Sequence, residues 1–564
     1  MDRPLPLCAA TRLDKEIMMA IRYQILGFPM DNLAQPQEFP EHRLPGFSQG
    51  LTEKPLGVAF SGGGTRSACC TLGQLKALHD TGLMQRVGYL SAVSGGSWAS
   101  VPYGFLPPHQ LPQFWGAILP PSQLRESEIQ SVPERSFQHC LVNAGVVSRL
   151  FGAALSGRGD ESFAEVIGRI FLTPFGLHRP QMAFSYDLHS VAEACEANAN
   201  LSPDQFQRLR PGAPYLVVGA TLLNGDGIGP TQRYHVEYTP YYSGVRVSHR
   251  DRDGIGDDEH FGGGYLSSYG YDCVGPYRVE PGEGTLTLTV KRSPRSLFDW
   301  TNEKAFSLSD IMASSGAAPQ QLANALGLGA LGFPEFYHLP VQVPDGVQRL
   351  AEEYAHSDGG HMENLGIMPL LARGVTRLLV FVNTKCPYIP GDDIESTNIN
   401  KSLKALFVPL RDNFGLGQFR DNLVFEQGES KLNELRALFD AGVQRTPFAS
   451  IAHKGLYATQ TLITRDNPVY GIAGGRRVTI TWVYNQRSQA WENALADERL
   501  AQEIRQQGQD DWDPYGLDNF PHFDTFMENA AVIDMTPVQA HLLASLARYV
   551  AKRAIGDSWG DAGD

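Results

Sequence analysis

The chain has 564 residues, 42% hydrophobic, 19% charged and 10% aromatic. That length allows three or four ordinary domains or one large domain with insertions, and that composition excludes disorder for most of the chain. Lys and Arg number 47 against 61 Asp and Glu, a formal charge of −14. This argues against nucleic acid as a partner and against purely electrostatic adhesion to anionic lipid, but leaves apolar contact with a membrane open.

Residues 1–28 lack a signal-peptide core, because Arg12, Asp14, Lys15 and Glu16 interrupt the apolar residues. Nowhere do 18 apolar residues run uninterrupted, so no membrane-spanning helix is expected and the location read from the sequence is cytoplasmic, with contact at a membrane surface. The seven cysteines include no CxxC pair and no Cys/His cluster of zinc-ligand spacing. A reduced compartment fits that pattern, and neither metal nor cofactor is expected.

In chain order, Ile17, Met18, Ile21, Ile25 and Leu26 recur at helical spacing and predict a packing helix over 14–27, followed by a Pro-rich connector at 35–50. Residues 57–60 read as a short buried strand running into Ser61-Gly62-Gly63-Gly64-Thr65-Arg66. Residues 67–82 then read as a helix, with Leu72, Leu75 and Leu78 on one face and Gly82 as its stop. A second strand, 89–93, leads into Ser94-Gly95-Gly96-Ser97-Trp98. This is a parallel βαβ unit with a glycine-rich turn after each strand, and the fold class is α/β. Further strands are expected at 215–223, 286–290, 378–383 and 478–484. Residues 100–210 read as an insertion over the core, 225–285 as loop-heavy, and 391–564 as an extension packed on the core. The acidic stretch 251–264 is not an EF-hand loop, since Ile255 stands at its fifth position and Gly262 at its twelfth. A terminal helix is expected from a Thr536 N-cap with Pro537 at N1.

The turn Gly62-Gly63-Gly64 lies near the positive end of the following helix and is suited to a phosphate or an oxyanion. No Lys follows as in a Walker A loop, and Ser67 stands where a dinucleotide fingerprint needs its third Gly. One helix later, Ala92-Val93-Ser94-Gly95-Gly96 matches a nucleophile elbow with Ala92 in its first position. Neighbouring parallel strands would bring the glycine amides beside the Ser94 hydroxyl. A serine nucleophile needs a base. The best downstream segment is His356-Ser357-Asp358-Gly359-Gly360-His361-Met362-Glu363-Asn364, whose two histidines flank an acid on a tight turn. A triad through either histidine stays open on this reading, whereas no metal-ligand spacing is present.

The motifs GGGTR at 62–66, VSGGSW at 93–98 and DGG at 358–360, in that order, resemble the patatin-like phospholipases and the related catalytic domain of cytosolic phospholipase A2. Segments 214–225 and 309–319 are similar as well. Ala92 departs from the usual elbow Gly; the DGG form is that of patatins, while VSGGSW leans toward the cytosolic enzymes. The resemblance implies a three-layer α/β fold with a mainly parallel central sheet flanked by helices and inserted cap or lid segments, with 51–564 as the catalytic domain. It implies a Ser94–Asp358 dyad without a catalytic His, an oxyanion hole drawn from Gly62, Gly63, Gly64 and Gly95, and Arg66 as a contact for the lipid phosphate. The implied activity is hydrolysis of fatty-acyl esters of phospholipids or lysophospholipids at a membrane or micelle surface. A protein activator is left open by the sequence. The alternatives are a general serine esterase with a His-containing triad and a catalytically dead lipid-binding protein. Residues 322–333, apolar and broken by Gly, are a lid candidate or else buried core.

Overall fold

The computed structural model describes residues 22–30, 33, 35–143, 159–224, 232–246, 262–293, 305–316, 334–341, 350–410, 419–446, 450–506, 516–524 and 534–560. The lid candidate at 322–333 and residues 251–261 of the acidic stretch lie outside these residues.

One 14-stranded sheet organises the described chain. Its strands are β1 (Arg22–Pro29), β2 (Leu56–Phe60), β3 (Val87–Val93), β4 (Tyr215–Asn224), β5 (Gln232–Tyr238), β6 (Tyr242–Gly244), β7 (Gly264–Ser267), β8 (Cys273–Pro281), β9 (Leu286–Arg292), β10 (Glu335–His338), β11 (Glu352–Asp358), β12 (Arg377–Val382), β13 (Leu456–Ile463) and β14 (Arg477–Tyr484). The spatial order is β8-β9-β1-β7-β6-β5-β4-β3-β2-β12-β14-β13, with β11 paired to β4 and β10 to β11. Only the block β4-β3-β2-β12-β14 is parallel; the other pairings are antiparallel. The expected mainly parallel sheet is thus corrected to a mixed one with a parallel centre.

The parallel block is covered on both faces, as such strands require. Val58 and Phe60, Leu379 and Phe381, and Leu90 and Ala92 join one hydrophobic cluster with α1 (Gly64–Asp80), α2 (Gly95–Phe105), α3 (Gly159–Phe171), α4 (Leu308–Gly316) and, from the end of the described chain, a helix over Pro537–Trp559. Ala59, Leu378, Val380 and Val382 point the other way, into a cluster with α5 (Met368–Ala372) and α6 (Gly428–Gly442). The period of two along each strand produces this division. The Pro537–Trp559 helix, α7, starts as its sequence indicates: Thr536 accepts from Gln539 N–H and the Gln539 side chain accepts from Thr536 N–H, a closed capping box.

Two expectations fail here. The described part of the 14–27 segment is strand β1, whose Tyr23 and Ile25 are buried while Arg22 and Gln24 face solvent. Alternation within 22–25 outweighs the helical spacing because β9 and β7 are on hand to pair with it. Residues 225–285, expected to be loop-heavy, contribute β5, β6, β7 and β8. In β5 Tyr234, Val236 and Tyr238 alternate with the polar Arg233, His235 and Glu237, a period-two pattern of side-chain type, with both faces buried from 234 to 238.

Candidate active site

The long strand β4 sets the geometry. Its first half pairs with β3, ending at Val93↔Gly219, and its second half pairs with β11, ending at Asp358↔Ala220. Strand β5 occupies the opposite edge of β4 from Val218 to Asn224, so β3 and β11 share one edge and meet end to end. The residue after β3 is Ser94 and the last residue of β11 is Asp358. Ser94 Oγ donates to Asp358 Oδ2 at 2.7 Å.

Ser94 has φ 51 and ψ −127, a positive φ rare for a residue with a side chain. Glycine makes this turn feasible. A Cβ at Gly95 would overlap the Gly64 carbonyl, and one at Gly96 would lie 2.8 Å from Phe60 O. The turn is pinned from α4: Ser94 N–H donates to Ser315 Oγ (2.9 Å), and Ser315 donates to Gly219 O (2.7 Å). Ser97, inside α2, donates to Ser94 O at 2.7 Å, and Trp98 stacks on Phe171 with centroids 5.2 Å apart. Ser94 is 1% exposed.

Asp358 is also buried. Its Oδ1 accepts from Gly360 N–H at 2.7 Å and its carbonyl from Thr221 Oγ1 at 3.0 Å. Burial pushes the carboxyl up to about 6, against the opposing hydrogen bonds from Ser94 and Gly360. Neither flanking histidine reaches the pair. His356 Nε2 lies 2.8 Å from the Tyr271 hydroxyl and its Nδ1 2.9 Å from Tyr354 O, and burial lowers its pKa to about 3. His361 Nδ1 lies 2.6 Å from Ser357 Oγ; burial, with Arg233 nearby, lowers its pKa to about 4.

The glycine turn lies beside the elbow. Gly63 has φ 138 and Gly64 φ 57, conformations open to glycine. Gly64 and Gly95 are the first residues of α1 and α2, where an N–H has no acceptor within its own helix. Their backbones touch, so the positive ends of two helices converge at Ser94. Gly62 differs: its N–H donates to Asn364 O at 2.9 Å, which removes it from the expected set of oxyanion donors. Arg66 is adjacent but 3% exposed, with Nε donating to Asn383 O (3.2 Å) and Nη1 to Phe523 O. Its pKa is lowered to about 10, chiefly by burial. Its guanidinium therefore ties the glycine turn to residues 383 and 523, and a phosphate contact would require the Phe523 segment to move.

Two site residues carried no signal of their own in the sequence. Asn364 Oδ1 is wedged against Gly62 and Gly360: a Cβ at Gly360 would lie 2.6 Å from it. Glu363 is buried, its carboxyl pushed up to about 7 by burial, and Oε1 accepts from Leu365 N–H at 2.6 Å, fixing the loop that carries Asn364. Among the described residues no group of three or more His, Cys, Asp or Glu is placed to hold a metal ion, and no helix is long and apolar enough to cross a membrane.

No protein-family model matches the chain, and no curated protein matches it. Among solved structures it is similar to human GIVD cytosolic phospholipase A2, with a TM-score of 0.41 and 12% identity over 91% of this chain and 61% of that one. The same human enzyme in complex with methyl gamma-linolenyl fluorophosphonate gives 0.37 and 15%, covering 91% and 60%. With that inhibitor and terbium chloride it gives 0.38 and 13%, covering 91% and 61%. The chain thus spans about three-fifths of the length of these neighbours. Likenesses of this size do not carry a function across.

Proposed function

We propose that the chain is a serine acyl hydrolase that cleaves fatty-acyl esters of phospholipids or lysophospholipids through a Ser94–Asp358 dyad. The observation that carries this reading is the 2.7 Å bond from Ser94 Oγ to Asp358 Oδ2 on a strained elbow, with both neighbouring histidines engaged elsewhere. Lipid as the ester class rests on the ordered triple motif.

In this mechanism Ser94 Oγ attacks the acyl carbonyl carbon as its proton passes to Asp358 Oδ2. The carbonyl oxygen becomes an oxyanion held by the amides of Gly64 and Gly95, with Gly63 beside them, where one donor is worth roughly 2.7–4 kcal/mol. Collapse breaks the ester bond, and Asp358 returns the proton to the leaving alcohol. Water then gives its proton to Asp358 and attacks the acyl-serine; the second collapse releases fatty acid and restores Ser94–OH. An Asp with a pKa of about 6 suits this task, being ionised at neutral pH yet more basic than an ordinary carboxylate. Asn364 positions the Gly62 and Gly360 turns on either side of the reacting atoms, and Arg66 holds the glycine turn from behind.

The test is fatty-acid release from phosphatidylcholine and lysophosphatidylcholine vesicles, with chelator present, by the wild type and by Asp358→Asn, His356→Gln and His361→Gln. Loss in Asp358→Asn alone supports the dyad. Loss in a histidine variant with Asp358→Asn active would establish a histidine base instead. Lipid binding without turnover or acyl-serine would mark a lipid-binding protein.

A further inference from the structure

Arg246 and Arg476 take no part in the chemistry proposed above. Arg246, two residues beyond β6, is 4% exposed. Its Nη1 donates to Tyr470 O at 3.1 Å and its guanidinium lies 5.0 Å from the centroid of the Phe39 ring. Its Nε and Nη2 are shielded from water and have no hydrogen-bond partner. Arg476 donates from Nε to Ala473 O at 3.2 Å, and its Nη1 and Nη2 are likewise shielded and unpartnered.

The two open pairs are chemically specific. Nε with Nη2 is the side-on edge of a guanidinium, and Nη1 with Nη2 is its end-on edge. Each edge presents two parallel N–H groups that match two oxygens of a phosphate or carboxylate. Arg246 borders the stretch 36–39 directly, and Arg476 borders it through Gly374. Arg246 packs on Phe39 and against Gly471, while Arg476 Nη1 would lie 2.9 Å from a Cβ at Gly374, a residue that also abuts Pro36. Arg373, 4.3 Å from the centroid of the same Phe39 ring, already has its counter-charges in Glu41 (2.9 Å) and Glu237 (2.7 Å).

Arg246 and Arg476 have no such match. Neither forms an ion pair with a carboxylate among the described residues. Glu237, whose charge reaches Arg246, is hydrogen-bonded to Arg373 and to the Tyr265 hydroxyl. Burial, and after it the charge of Arg246, lower the pKa of Arg476. Unmet donors shielded from water are costly, and an oxyanion would satisfy them while supplying a counter-charge.

We infer that Arg246 and Arg476 form a binding site for a compact tetrahedral oxyanion of the phosphate type, taken either as a free ion or as the terminal phosphate of a lipid headgroup. Two bidentate forks supply four donors, the number of oxygens such an ion carries. In a chain of net charge −14 diffuse attraction of anions is weak, so a localised site is distinguishable from background.

The test is calorimetric titration of the full chain with inorganic phosphate against chloride at matched ionic strength, with thermal melts alongside. Flotation with phosphatidate-containing and pure phosphatidylcholine vesicles forms the second arm. Arg476→Lys keeps the charge and removes the fork at a half-buried position; Arg246→Gln is the second variant. Phosphate binding and a raised Tm in the wild type, weakened at least tenfold in Arg476→Lys, support the site with a free ion as ligand. Phosphatidate-dependent flotation lost in Arg476→Lys, without a response to free phosphate, supports the site with a headgroup as ligand. Absence of both responses, or responses unchanged in Arg476→Lys, overturns the inference.

Discussion

Replacing Asp358 with Asn keeps the shape of the side chain and an oxygen for the Gly360 N–H, but removes the carboxylate oxygen that accepts the Ser94 proton. Loss of a general base costs roughly 10²–10⁴-fold in kcat, or about 3–5.5 kcal/mol. The wild-type pH profile carries a second signature. Asp358 must be ionised to act, so kcat/KM rises with pH through about 6 and then levels. At pH 5 it should stand at about a tenth of the plateau, whereas a carboxyl at its ordinary 3.8 would already give about nine-tenths. The same residue lowers stability. A folded pKa raised above the unfolded value means that the native state favours the protonated form; the stabilisation is complete below 3.8 and is lost as pH rises through about 6. At pH 7 the ionised carboxyl therefore costs about 3 kcal/mol. Asp358→Asn should unfold at higher urea than the wild type at pH 7, by up to that amount, and the gap should close by pH 4. Vesicle assays from pH 4 to 8 and urea melts at pH 7 and 4 read both effects. An Asp358→Asn enzyme retaining a tenth or more of wild-type turnover, or an acid limb centred near 4, would refute the assignment.

Other residues give separate outcomes. His356→Gln and His361→Gln should keep turnover within about threefold, since neither ring contacts Ser94 or Asp358; His356→Gln should cost about 1–3 kcal/mol in a denaturant melt through the buried Tyr271 hydroxyl bond. Gly95→Ala should lower kcat at least ~100-fold, because its Cβ meets the Gly64 backbone and parts the two helix ends. Arg373→Met should lose about 3–5 kcal/mol of stability by leaving Glu41 and Glu237 buried without their cation, with both carboxylates fully inside the fold. Asn364→Ala should lower kcat with KM little changed, as expected of a positioning residue, and steady-state kinetics on lysophosphatidylcholine separate the two.

The parts of the fold read correctly from the sequence are those governed by local rules. The β2–α1–β3 unit, its two glycine turns and the capped start of α7 each follow from residues within a few positions of one another. The meeting of Ser94 with Asp358 depends instead on β4 being long enough to pair with β3 and then β11 along one edge, which no local pattern encodes. Strands β5 to β8, in the stretch 225–285 expected to be loop-heavy, are rich in Gly, Pro and polar residues, and pairing partners rather than propensity fix them; β9, in the same antiparallel part of the sheet, was legible over 286–290. Side-chain roles were least legible. Gly62 looked like an open donor until Asn364 O proved to accept its N–H, and Arg66 looked exposed to ligand until Phe523, 457 residues away in sequence, proved to accept from it.

The most direct test of the account is release of fatty acid from lysophosphatidylcholine and phosphatidylcholine vesicles by the wild type and by Ser94→Ala, in chelator at pH 7. The account predicts chelator-indifferent release by the wild type and none above background by Ser94→Ala. Equal release by both proteins would contradict it.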